Sequence, residues 1–157
     1  MRPDRIIVGE VRGPEALEML QAMITGHDGS MSTIHANSAV DALIRLATMV
    51  LSAAIDLPLE AVRMQVTSAV NLVIHQARGL DGKRRIVQIG ELLGYEGGHP
   101  KMKDIFVFDT TVEPARHRAT GVRPLLLDML VQRGAPCPEA VFDPPVAGRD
   151  RTSPFPG

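Results

Sequence analysis

Short β-branched apolar runs alternate with helix-spaced apolar stripes through the first half of the chain. Residues 5–8, Arg-Ile-Ile-Val, lead into Gly9-Glu10 and predict a buried strand with an acid at its carboxyl end. Pro14 stands where a first-turn proline is tolerated, and Leu17, Leu20, Met23 and Ile24 recur at helical spacing. Gly26 supplies the glycine stop. Residues 31–36 predict a second strand. Ser38 offers an N-cap with Asp41 three positions on, like a capping box. A helix over about 39–53 follows, with Leu43, Leu46, Met49 and Val50 on one face. Pro58 then opens another helix, striped by Ala61, Val62, Val66 and Ala69.

After residue 70 the period changes. Residues 72–76 predict a strand, Gly79-Leu80-Asp81-Gly82 a turn, and residues 85–90 an imperfect period-two strand. A second turn is expected over 95–100 and a strand over 105–108. A loop follows Asp109, taking in Arg116, His117, Arg118 and Arg123 as solvated positions. The last helix is expected over 124–133, stopped by Gly134. The pattern is α/β with appended antiparallel hairpins and a terminal helix. Half of the 12 prolines lie at or beyond Pro136, so residues 1–143 are expected to fold and residues 144–157 to form a disordered proline-rich tail.

Composition narrows the function classes. Lys plus Arg is 17 against 18 Asp plus Glu, which gives no basic excess for nucleic acid. Aromatics are 3% with no Trp, so base-stacking platforms are poorly supplied. The single cysteine, Cys137, excludes an intrachain disulfide and sits between two prolines with no base beside it in sequence. Apolar runs such as 48–54 are too short to span a bilayer.

Two segments carry candidate chemistry. The first is Ile6-Ile7-Val8-Gly9-Glu10 with Arg12 and Glu15. A carboxylate at the carboxyl end of a strand lies where open α/β sheets bind ligands, and in a nucleotide hydrolase such an acid orients water and helps hold Mg²⁺. A strand ending in a solvated acid has the same sequence. The second is Thr25-Gly26-His27-Asp28-Gly29-Ser30, then Thr33-Ile34-His35-Ala36-Asn37-Ser38. His35 follows an apolar run and precedes a helix cap, so it too is expected at a strand end, where imidazole can meet a terminal phosphate. Metal binding by His27, Asp28 and His35 is the competing reading, although a spacing of eight between the histidines matches no common zinc pattern.

Taken together these residues resemble the type II/type IV secretion traffic ATPases. Residues 1–12, with Glu15-Ala-Leu and Met19-Leu-Gln-Ala-Met23, are similar to that family's Walker B region. Thr25-Gly-His27-Asp-Gly-Ser and Thr33-Ile-His35-Ala-Asn-Ser38 are similar to its histidine box. The order and spacing of Asp56-Leu-Pro-Leu, Asp104-Ile-Phe-Val-Phe-Asp109 and Ala119-Thr-Gly-Val-Arg-Pro124 resemble the CpaF-like branch, which serves Flp (tight adherence) pilus assembly.

The resemblance implies the C-terminal part of a RecA-like P-loop NTPase domain, ATP and Mg²⁺ as cofactors, and a homo-hexamer. It implies work on pilus or secretion platform proteins at the cytoplasmic face of the bacterial inner membrane, without nucleic acid. It makes Glu10 the catalytic carboxylate, reaching Mg²⁺ through water, and His35 the γ-phosphate contact. Arg12, His27 and Thr33 are implied as nucleotide-site residues. The phosphate-cradling Gly-x-x-x-x-Gly-Lys-Ser/Thr occurs nowhere in the 157 residues. The segment is therefore expected to come from a truncated or mis-started frame and to be inactive alone. The alternative is a non-catalytic module that docks to full-length ATPase subunits.

Overall fold

Three helices carry most of the buried apolar core of the chain. The computed structural model describes residues 3–53 and 56–145. The elements in order are β1 (Ile7–Val8), α1 (Ala16–Ile24), β2 (Met31–Ser32), α2 (Ala39–Ala53), α3 (Leu59–Ala69), β3 (Leu72–Arg78), β4 (Arg84–Glu96), β5 (His99–Asp109), β6 (Arg116–Ala119) and α4 (Leu126–Gln132), with a 3₁₀ turn at Glu139–Phe142. Strands β3-β4-β5-β6 lie in that order in one sheet. The contact pattern divides the chain into two units. One holds the chain up to Val73 with Glu91–Met102, and the other holds Ile74–Gly90 and the chain from Lys103 on.

In the first unit α1, α2 and α3 pack against one another. Their buried stripes are Met19 and Leu20 on α1, Leu43, Leu46, Met49 and Val50 on α2, and Val62 and Val66 on α3, closed by Val11 and Leu92. On α2 and α3 these are residues whose 3.6-residue spacing predicts the helices. On α1 Leu20 is buried as expected, but Met19 takes the second buried position, Leu17 and Met23 are only partly buried and Ile24 is 43% exposed. Ser38 caps α2 as expected, its Oγ accepting from the Asp41 N–H at 3.0 Å. Gly26 ends α1 with φ +95°, a conformation that disfavours a Cβ.

The first strands differ from expectation. Among the described residues they pair only over Ile7–Val8 and Met31–Ser32, in parallel, and Ile7 is 70% exposed rather than buried. The apolar run predicts burial on both faces, but among the described residues one face of β1 is left uncovered. The predicted second strand stops four residues early, because beyond Ser32 side-chain and single backbone bonds replace the ladder.

The sheet strands are longer than their periodicity suggests. The turn expected over 95–100 shrinks to Gly97-Gly98, with φ +56° and +87°. Two successive positive-φ residues make the tight mirror-image turn that matches strand twist, so β4 and β5 run right up to it. The loop expected around Arg116–Arg118 is strand β6, antiparallel to β5 with Phe106 opposite Ala119 and Phe108 opposite His117. An edge strand of charged residues shows no apolar alternation, yet its partners fix it. Arg118 Nε reaches Asp109 Oδ2 at 2.7 Å, and the His117 ring lies 4.9 Å from that of Phe108. In the same unit Arg123 reaches Asp143 at 2.6 Å, while Phe142 packs on Phe106 at 5.8 Å. The last helix is shorter than the expected 124–133. Of the expected proline-rich tail, residues 146–157 lie outside the described residues.

Candidate functional site

Parallel pairing of β1 and β2 brings the two chemically suggestive segments to one end. The register sets Ile7 beside Met31 and Val8 beside Ser32. Backbone bonds extend it on both sides, from Met31 N to Ile6 O at 3.0 Å and from Val11 N to Thr33 O at 3.0 Å. Glu10 therefore leaves β1, and His35 leaves β2, at the same carboxyl end.

There the side chains meet. Arg12 Nη2 donates to Glu10 Oε2 at 2.6 Å, and His35 Nε2 lies 3.2 Å from Glu10 Oε1. The Glu10 side chain keeps about a quarter of its surface exposed, while Arg12 and His35 are mostly exposed. The Arg12 hydrogen bond holds the Glu10 carboxyl below its ordinary range. The charges of Arg12, His35 and Arg45 add to the shift, and partial burial opposes it. Glu10 is thus an ionised acceptor at neutral pH.

The supports are backbone anchors. Glu15 Oε1 accepts from Arg12 N at 2.8 Å and from Gly13 N at 3.0 Å, which shapes the turn that carries Arg12. Those same bonds, led by the one from Arg12, lower the Glu15 carboxyl. The Thr33 hydroxyl donates to the Gly9 carbonyl and ties the exit of β2 to that of β1. Before β2, Ser30 Oγ accepts from Ile6 N at 2.9 Å and donates to His27 O at 2.6 Å. A Cβ at Gly9 would meet nothing within 4 Å, so packing inside the chain does not require glycine there.

His27 is not in this group. Its Nδ1 bonds Ala22 O at 3.0 Å, so the ring serves the end of α1. Among the described residues no three His, Cys, Asp or Glu side chains gather where they could hold a metal ion, so His27, Asp28 and His35 do not converge. Arg45 of α2, Ser30 and the anchoring role of Glu15 were not legible from motifs. Arg45 carried no signal, while the position of Glu15 just before α1 and of Ser30 just before β2 were available hints.

The donor set suits a phosphate–Mg²⁺ group in part. An ionised, accessible carboxylate fits metal-bound water, and an exposed guanidinium and imidazole fit phosphate oxygens. The backbone cradle that would hold the β- and γ-phosphates has no counterpart in the sequence.

Residues 1–105 match the family model described as Type II/IV secretion system protein. The chain belongs to that family. It is 42% identical over 97 residues to a putative conjugal transfer protein of Mycobacterium tuberculosis strain CDC 1551, covering 62% of this chain and 27% of the relative. The conjugal transfer protein TrbB of Rhizobium radiobacter is 41% identical over 99 residues, covering 63% and 29%. Among solved structures, the VirB11 ATPase of the Brucella suis type IV secretion system, in complex with sulphate, superposes with a TM-score of 0.55. It is 36% identical to this chain and covers 58% of it, against 28% of that structure. The α/β arrangement is therefore similar to that of a secretion ATPase, and the chain spans under a third of the length of these relatives.

Proposed function

We propose that this chain carries the Walker B and histidine-box part of a RecA-like motor in a secretion ATPase, of the CpaF-like branch that serves pilus assembly. The observation that carries this reading is the Glu10 carboxylate, held by Arg12 at 2.6 Å and His35 at 3.2 Å beyond the ends of paired parallel strands. In this reading Glu10 accepts a hydrogen bond from the attacking water and would help hold Mg²⁺ through water. His35 and Arg12 turn their N–H groups to phosphate oxygens, and Thr33 holds the two strand exits together. Mg²⁺, when bound, supplies charge neutralisation on the phosphates. His27, oriented by the Ala22 carbonyl at Nδ1, is the second member of the histidine box. The phosphate cradle comes from sequence beyond these residues, and the working assembly is a ring acting on inner-membrane platform proteins.

Two arms test it. The 157-residue chain alone is expected to show no Mg-dependent ATP hydrolysis above its Glu10→Gln variant. A chimera in which residues 1–105 replace the matching part of TrbB is expected to hydrolyse ATP. In it Glu10→Gln keeps nucleotide binding and loses turnover by about 10²–10⁴-fold, the usual contribution of a positioned base. His35→Ala loses less, because it stabilises charge without touching the water. Parent-like turnover in both variants of an active chimera overturns the assignment.

A further inference from the structure

The hairpin β3–β4 ends in a feature that the nucleotide site does not use. Leu80, at the tip, is the most exposed large apolar side chain among the described residues, fully open to solvent at 112%. A leucine on a loose loop would mean little, but this tip is built. Gly79 N donates to Lys83 O, and Gly82 N to Gly79 O, both at 2.9 Å. Arg78 Nε donates to Gly82 O at 2.9 Å. Arg85 grips Asp81 through two bonds, of 2.8 and 2.5 Å, and Asp81 Oδ1 also accepts from Lys83 N at 3.2 Å. Gly82 at φ +75° closes the turn.

The charge around the tip is one-sided. Asp81 is its only acid, and Arg85 neutralises it. Arg78, Lys83 and Arg84 are exposed, and none has a salt-bridge partner among the described residues. Behind them on the same two strands Ile74 and Ile86 are also exposed, at 59% and 41%. The order from the tip inward is thus apolar, then cationic, then apolar and polar. An anionic bilayer surface has the complementary order, with a phosphate layer over hydrocarbon. Long cationic side chains can stay at headgroup level while the leucine passes beneath.

We infer that the β3–β4 hairpin tip is a membrane-docking element, with Leu80 entering the interface of an anionic phospholipid layer and Arg78, Lys83 and Arg84 contacting its phosphates. Because the turn is already fixed by hydrogen bonds, little ordering opposes docking. The inference is independent of the nucleotide reading.

The test uses the whole 157-residue chain and flotation with vesicles, which separates bound protein from any aggregate. The chain should float with vesicles of phosphatidylglycerol and phosphatidylcholine, and not with phosphatidylcholine alone. Binding should fall away as salt rises from about 0.1 to about 1 M, where screening shortens from ~10 Å to ~3 Å. Each of Lys83→Gln and Arg84→Gln should weaken partitioning about fivefold, equivalent to ~1 kcal/mol per basic residue near the surface. The chain has no tryptophan, so Leu80→Trp is a lone reporter. Its emission should shift to the blue only with the anionic vesicles. Flotation with an unshifted Leu80→Trp spectrum would show that the tip stays in water, and absence of flotation at low salt would show no lipid contact at all. Binding that Lys83→Gln and Arg84→Gln leave unchanged would place the contact elsewhere. Each of these results overturns the inference.

Discussion

Truncating Leu20 and truncating Ile7 should have very different costs, although both are apolar residues in segments that the sequence marks as core. Leu20 on α1 is fully buried at 0% exposure within the three-helix cluster. Leu20→Ala removes three carbons, worth about 2.4 kcal/mol at ~0.8 kcal/mol per buried methylene. The incompletely collapsed cavity adds to that, so the total falls at about 3–4 kcal/mol, inside the usual span for buried leucines. Ile7→Ala also removes three carbons, but Ile7 is 70% exposed. Only about a third of the transfer term applies, or ~0.7 kcal/mol. At roughly 2–4 °C per kcal/mol for a chain of 157 residues, Leu20→Ala should lower the melting temperature by at least ~6 °C and Ile7→Ala by about 1–3 °C. Circular dichroism melts of the three proteins at several concentrations give the comparison. An Ile7→Ala cost equal to that of Leu20→Ala would refute the reasoning, because it would put β1 in a closed core. A cost that grows with protein concentration would mean that a second copy covers Ile7.

Four further outcomes are expected. Gly98→Ala should cost about 1–2 kcal/mol, from the Cβ penalty at φ +87° and from displacing Arg63, whose Nη2 would lie 3.2 Å from the new carbon. Gly97→Asn should be nearly neutral, since at φ +56° nothing lies within 4 Å and asparagine accepts that conformation, and urea unfolding compares the two. Asp109 is held down to about 2, first by the Thr111 hydroxyl, then by Thr111 N–H and by Arg118. A depressed carboxyl stabilises the fold above its unfolded value and loses that contribution as pH falls through the folded one. Asp109→Asn should therefore be less stable than the parent at neutral pH, with the gap closing between about pH 4 and pH 2 in acid unfolding curves. Finally, elemental analysis of the purified chain should find no stoichiometric zinc, and a tightly held metal lost on His27→Ala would revive the metal reading.

The helices were legible because their burial is decided locally. The stripe of Leu43, Leu46, Met49 and Val50 and the Ser38 cap together leave α2 few alternatives, and α3 reads the same way from Val62 and Val66. The strands were legible only in part, because a strand's burial depends on neighbours that its own sequence does not name. Ile6-Ile7-Val8 reads as a doubly covered strand, yet among the described residues only β2 pairs with it. Conversely Arg116–Ala119 carries no apolar alternation, and backbone pairing with β5, the Asp109–Arg118 bond and the Phe108–His117 contact make it a strand. At the candidate site Glu10, Arg12, Thr33 and His35 come together because both segments end strands of one parallel pair. His27 is drawn away by Ala22 O, a short-range partner that motif spacing cannot show.

This division explains how an open site can still be ordered. Strands of two residues give little ladder to hold the Glu10 and His35 turns in place. Exposed ion pairs contribute little on their own, so the Glu10–Arg12 bond cannot be what fixes the geometry. The fixing groups are instead side chains bonded to backbone: Glu15 on Arg12 and Gly13, Thr33 on Gly9, and Ser30 between Ile6 and His27. Each leaves the Glu10, Arg12 and His35 functional groups free of structural duty. Because the pair is exposed and only weakly favourable, Arg12 and His35 can exchange Glu10 for a more highly charged oxygen cluster at small cost, while the turns stay where Glu15 and Thr33 hold them. In the proposed ATPase, arrival of a phosphate would then uncover the Glu10 carboxylate for water at the moment when its ionised form is needed.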